Sequence, residues 1–178
     1  MEEVLSLLNI RRILVLALVF LWSGWFQANA QAPDPQQQQQ SMQNGAAALL
    51  VNLSEVKWEK IMPDLGEDSP DISILHVDPK TRATQLLIRL PKNFHVPKHW
   101  HTSNETHTIL SGSCIFACGE TKGELSAGGF NYMPAKMVHE AWTTEAGAVA
   151  FITVDGAWDV NWVGGVPTAQ QVREPAPR

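Results

Sequence analysis

The sequence predicts an all-β domain, a sandwich or closed barrel, preceded by an export segment. Three observations predict it. Eight short, mostly apolar segments follow one another between Ile72 and Val154, separated by turns rich in Gly, Pro and Asp. No helical period is sustained anywhere after residue 52. The chain has 178 residues, enough for one domain and not comfortably for two.

Residues 1–30 read as an export signal. Arg11 and Arg12 supply positive charge, Ile13 to Phe20 is an unbroken apolar run, and Ala28-Asn29-Ala30 is a small-x-small cleavage pattern. Glu2 and Glu3 weaken the charged end, but the two arginines abut the run and offset them. The run falls short of the about 20 apolar residues that a membrane span needs. The expected product therefore starts at Gln31 and is secreted or periplasmic, with no stable membrane anchor after cleavage; an uncleaved anchor is the competing account. Two acids and two bases leave with the segment, so the formal charge stays at −5. A mildly acidic chain without a Lys/Arg cluster is a poor partner for nucleic acid. Residues 31–45, QAPDPQQQQQSMQNG, form a polar linker with nothing to bury.

The domain is expected over residues 46–165. Asn52 to Pro63 reads as a strand, and residues 64–71 (DLGEDSPD) as a loop by composition. The eight strands then follow as 72–77, 83–90, 95–101, 107–110, 114–118, 130–133, 139–142 and 149–154. A domain of this size buries a modest fraction of its surface, which makes a homodimer through the edge strands near residues 52–77 plausible. Residues 166–178 are expected to be a flexible tail. Trp158 and Trp162 are expected to cover one end of the barrel or an interface, because exposed rings are costly. Cys114 and Cys118 lie four apart on one strand, about 13 Å when extended. A disulfide needs Cα atoms within about 7 Å, so two thiols are expected.

The densest chemistry lies between residues 99 and 139. His99 and His101 leave the same face of a strand, with Cα atoms about 6.6 Å apart. Glu105 follows on the next extended stretch, and His139 comes after a Gly-Gly and a Pro. Three imidazoles and a carboxylate make a mixed nitrogen and oxygen site for one divalent transition metal (Zn, Mn, Fe or Ni).

The spacing His99-x-His101-x3-Glu105-x6-Gly112 resembles the first motif of the cupin superfamily, and Gly128-x5-Pro134 followed by His139 resembles the second. The wording PKHWHTSNETHTILSG and FNYMPAKMVHEAW is similar to a group of uncharacterised bacterial cupins near the cupin domain of the ChrR anti-sigma factor. The resemblance implies a small double-stranded β-helix, or jelly-roll, barrel. It also implies metal ligands at His99, His101, Glu105 and His139. The chain departs from the family pattern at Asn93 and Lys136, where glycines are expected, and at Thr143, where asparagine is expected.

Strand parity places His107 and Ile109 on the same face as Glu105, so His107 either hydrogen-bonds a ligand or replaces Glu105 beside the metal. His95 shares the parity of His99 and can line the mouth of a pocket, although a loop position suits it as well. If the protein is an enzyme, His107 or His95 handles protons, because imidazole titrates near neutrality. Leu86, Ile88, Phe116 and Phe151 are expected on the interior wall, and His76 is expected to pack beside Ile72 and Ile74. An apolar cavity with a metal at its base suits a small-molecule substrate, and with a coordination position left open the resemblance implies a reaction of the dioxygenase, decarboxylase or isomerase type. The same four groups closed tetrahedrally around zinc give the alternative, a structural, sensory or ligand-binding protein.

Overall fold

A computed structural model describes residues 48–176. The expected signal at 1–30 and the linker at 31–45 lie outside the described residues. From Val51 onward the chain forms one unit. Its strands are β1 (Glu59–Lys60), β2 (Asp71–Val77), β3 (Thr84–Leu90), β4 (His95–Trp100), β5 (Glu105–Cys118), β6 (Thr121–Ser126), β7 (Phe130–Met133), β8 (His139–Val154) and β9 (Asn161–Trp162). They pair antiparallel in the order β1-β2-β3-β8-β4-β9, and β5 pairs with β6, β7 and β8.

The expected all-β barrel is thus the fold, with two strands longer than the sequence suggested. Segments 107–110 and 114–118 are one strand, β5, and segments 139–142 and 149–154 are one strand, β8. Gly112 and Gly147 punctuate the sequence as turns would, yet here they bend a continuous ribbon. Gly112 has φ +71° and Gly147 φ +66°. Across the bend, residues 144–147 of β8 stand against Ser113 of β5 alone, since Gly112 faces Ala148 and Cys114 faces Thr143. A Cβ on Gly112 would lie 2.0 Å from the Gly147 carbonyl oxygen, so the two backbones touch where they cross.

The fold in the ribbon decides where the chemistry goes. Glu105 pairs with Val154, at the opposite end of β8 from His139. In a straight ribbon the two would be on the order of 45 Å apart. Bent double, the ribbon brings Glu105 Oε2 to 4.0 Å from His139 Nε2.

The core between the layers is Leu86, Ile109, Cys114, Ala148, Ala150, Ile152 and Val154, all at most 5% exposed. Ile88 and Phe116 line the interior as expected. Phe151 does not, since it alternates with Ala150 and Ile152 and lies half-buried on the other face. Cys114 and Cys118 are both free thiols. The family's two missing glycines are replaced by residues that take the same backbone, Asn93 at φ +51° and Lys136 at φ +64°. Thr143 fills the asparagine position by accepting from the Phe94 amide at 2.8 Å and donating to the Pro91 carbonyl at 2.6 Å.

Four expectations need correction. The strand expected over 52–63 shrinks to Glu59–Lys60, because Glu55 holds Asn52 in a turn through its backbone and side-chain amides. Pro63–Asp68 is a 3-10 helix rather than a loop, started by Pro63, whose φ suits the first helical position. His76 is exposed instead of packed, since a register shift between Ile74 and His76 breaks the alternation. The tail is not loose in its described part. Val172, in a second 3-10 helix (Gln171–Arg173), is fully buried, and Arg173 pairs with Asp68. Truncation of this anchor by Val172→Ala should cost about 1–2 kcal/mol. Faster tryptic cleavage after Arg173 would register the loosened segment directly, and an unchanged digestion rate would show that Val172 holds nothing down.

Candidate metal centre

Five polar side chains are buried together inside the barrel: His99 and His101 around the end of β4, Glu105 and His107 at the start of β5, and His139 at the start of β8. The ligand atoms of His99, His101 and His139 lie within 4.8 Å of one another, and these three imidazoles can hold a metal ion. Glu105 Oε2 sits 3.0 Å from His101 Nε2 and 3.3 Å from His107 Nε2.

The far nitrogen of each ring shows which one is free. His99 Nδ1–H donates to the Pro97 carbonyl at 2.8 Å, and His139 Nδ1–H to the Met137 carbonyl at 3.0 Å. His101 Nδ1–H donates to the Asp159 carbonyl, and His107 Nδ1–H to Asn131 Oδ1 at 2.7 Å. A carbonyl oxygen only accepts, so the proton of each neutral ring is on Nδ1 and the lone pair is on Nε2. Four Nε2 lone pairs and a carboxylate then converge in a buried space. Glu105 Oε2 and His139 Nε2 have no hydrogen-bond partner. Converging, orphaned acceptors of this kind are stable only with a proton or a cation among them, and mixed imidazole and carboxylate donors fit a divalent transition metal.

The electrostatics agree. Burial pushes His99 down to about 3, helped by the charges of His139 and His101. Burial likewise pushes His139 down to about 4, against the Met137 hydrogen bond. Burial opposes ionisation of Glu105, but His107, His101 and His139 together outweigh it and hold the carboxyl at about 2. His101 moves the other way: burial disfavours its cation, while Glu105 and Asp159 more than compensate, so its pKa is raised. Without a metal, His101 is therefore the ring that keeps an extra proton beside Glu105.

The signs set a pH dependence. A metal must displace the His101 proton, so affinity is greatest above the raised pKa of His101 and should fall about tenfold per pH unit below it. His99 and His139 join the competition only near pH 3–4. The metal-free fold should also lose stability as pH falls through about 6.5, because His99 and His139 take up protons when unfolded and resist them when folded; His101, shifted upward, offsets part of this, and Glu105 adds to the loss below 4.5. Titration calorimetry in buffers of different ionisation enthalpy would count the released proton, and an affinity flat from pH 8 to 5 would contradict the assignment.

His95 does not join the centre. Its Nδ1 donates to the Gln171 carbonyl at 3.0 Å, its Nε2 faces Glu140 Oε2 at 3.2 Å, and its ring stacks on Trp142 at 4.6 Å. The expected parity fails because β4 holds one extra residue. Val96 pairs with Ala141 and His99 with His139, so two residues of β4 oppose Glu140 alone. Pro97, which cannot donate to a ladder, sits in that bulge. Val96 and His99 consequently share the inner face, and His95 turns outward. His95 is therefore not placed to handle protons at the imidazole cluster, contrary to the sequence expectation.

The cavity above the imidazoles has a volume of about 80 Å³ and is walled by apolar side chains, among them Ile88, Leu90, Phe94, Val96 and Phe116. Trp158 and Trp162 also line it, so both rings face the interior. Trp100 is half-buried and pairs with Asn161. Asn131 and Asp159 belong to the site through their hydrogen bonds to His107 and His101. Asn131 stands opposite His107 in the β5–β7 register, which only the strand pairing reveals, and no sequence signal marks Asp159.

Comparison with curated proteins gave no match. Among solved structures the chain is similar to an RmlC-like cupin from Ralstonia eutropha JMP134, at 19% identity and TM-score 0.54 over 65% of this chain and 73% of that one. It is also similar to the DMSP lyase DddQ from Ruegeria pomeroyi DSS-3, at 14% identity and TM-score 0.55 over 72% and 77%. A third is the polyketide cyclase RemF from Streptomyces resistomycificus, at 17% identity and TM-score 0.54 over 71% and 99%. At these identities the likeness is one of fold. The model of the ChrR Cupin-like domain matches residues 46–157. With the barrel, the buried imidazoles and that match in agreement, the chain belongs to the ChrR Cupin-like domain family of cupins.

Proposed function

We propose that the chain is an exported, metal-dependent enzyme acting on a small organic molecule. The observation that carries this is the convergence of three imidazoles and the buried Glu105 carboxylate at the base of an apolar cavity. In this reading His99, His101, His139 and Glu105 hold one divalent transition metal. When bound, the ion supplies Lewis-acid or one-electron chemistry to an oxygen of the substrate. His107 moves the proton. Asn131 keeps its Nδ1 protonated and its Nε2 available as acceptor, and Glu105 at 3.3 Å stabilises the ring once it is charged. The apolar wall excludes water. Similarity in fold to a DMSP lyase and a polyketide cyclase is in keeping with small-molecule chemistry.

A second reading has its own support. Three imidazoles and one carboxylate are four donors, a complete tetrahedron for zinc, which suits a structural or sensory role. Cobalt substitution of the full chain separates the two. Five- or six-coordinate spectra that respond to added small anions support the enzyme, and an intense, unresponsive tetrahedral spectrum overturns it. Export is tested by the mass of protein recovered from the source cell's envelope and medium: a chain beginning at Gln31 supports it, and the intact precursor opposes cleavage.

A further inference from the structure

We propose that the cavity is built for a small monoanion with one oxygen head and a short hydrocarbon tail free of hydroxyls, such as a short-chain monocarboxylate or an enolate. The inference rests on the cluster being a metal site and adds the class of ligand it takes.

The wall supplies the first argument. Apart from His99, His101, Glu105, His107 and His139, the described side chains lining the cavity are aliphatic, aromatic or sulfur-bearing, and none of them carries an oxygen. The indole nitrogen of Trp158 is the one such group with an orphaned, buried N–H, and among the described lining residues there is no Lys or Arg. A polyol entering this space would shed its water and find few partners away from the imidazoles. Each stranded hydroxyl weakens binding by about tenfold. Sugars and other hydroxyl-rich molecules are therefore poor ligands.

Charge supplies the second argument. Three neutral imidazoles, one carboxylate and a dication leave a single positive charge in a buried, apolar setting, and Glu105 is the one carboxylate among the described lining residues. Uncompensated charge is strongly disfavoured there, so a singly negative head completes the site, while a neutral head leaves it unbalanced and a dianion overshoots. Size supplies the third. At about 80 Å³ the cavity is well below the several hundred Å³ of sites for drug-sized ligands, and holds only a few non-hydrogen atoms.

The test uses the full chain loaded with cobalt(II), with metal content measured alongside, and four probes of similar length: butyrate, butyramide, 2,3,4-trihydroxybutyrate and succinate. Calorimetry is expected to rank butyrate first, with each of the others about tenfold weaker or more. Butyrate should also shift the cobalt absorption, and the metal-free chain should not bind it. Trihydroxybutyrate or butyramide binding as tightly as butyrate overturns the proposal. Loaded protein that binds none of the probes overturns it too and leaves the metal reading standing, whereas a chain that takes up no cobalt overturns both.

Discussion

His101→Ala should yield a chain that retains no stoichiometric metal. Two losses combine at this position. One of three imidazole donors within 4.8 Å disappears, and Glu105, only 1% exposed, loses its nearest partner. Leaving a buried charge without its partner destabilises by about 3–5 kcal/mol, so the variant should melt early as well as bind poorly. Glu105→Gln distinguishes these effects, because it removes the charge at nearly constant shape. That variant should keep its fold in the metal-free state while its affinity for metal drops. Metal content per chain, measured beside thermal unfolding, decides the matter. A folded His101→Ala protein carrying one ion would end the case for the centre.

Gly112→Ala should cost about 4 kcal/mol or more, a large share of the roughly 5–15 kcal/mol that holds a domain folded. The new methyl group would meet a backbone oxygen at 2.0 Å, and neither strand has a flexible side chain there to yield. Gly119 is the internal control. It too has positive φ, +57°, but nothing lies within 4 Å of a Cβ placed on it. Gly119→Ala should therefore cost only the left-handed backbone term, about 1–2 kcal/mol. Chemical denaturation of the two variants separates steric collision from backbone strain, and equal stabilities would show that the crossing tolerates a side chain.

Features fixed by neighbouring residues were legible in the sequence, and features fixed by distant contacts were not. His99 and His101 share a face through local parity within a short strand, and local parity is written in the chain, whereas His139 reaches Glu105 only through the bent ribbon and was legible through the resemblance to the cupin motifs. Glu105, His107 and Ile109 share a face through the same local parity. What the chain did not disclose is non-local or irregular. Gly112 and Gly147 read as ends of strands, and only their mutual contact makes them bends within strands. His95 was placed by an alternation that the bulge at Pro97 interrupts. The terminal segment looked loose by composition, although a single buried valine and one ion pair secure it. Asn131 became a site residue only through its register partner.

The extra residue in β4 also makes this stretch indifferent to the loss of one residue. Because Pro97 and Lys98 together stand opposite Glu140, removing Lys98 would leave Val96 opposite Ala141, Pro97 opposite Glu140 and His99 opposite His139, a regular ladder in which His99 still faces inward and His95 still lies over Trp142. What keeps the two rings on opposite sides is therefore their alignment with β8 and not the number of residues between them.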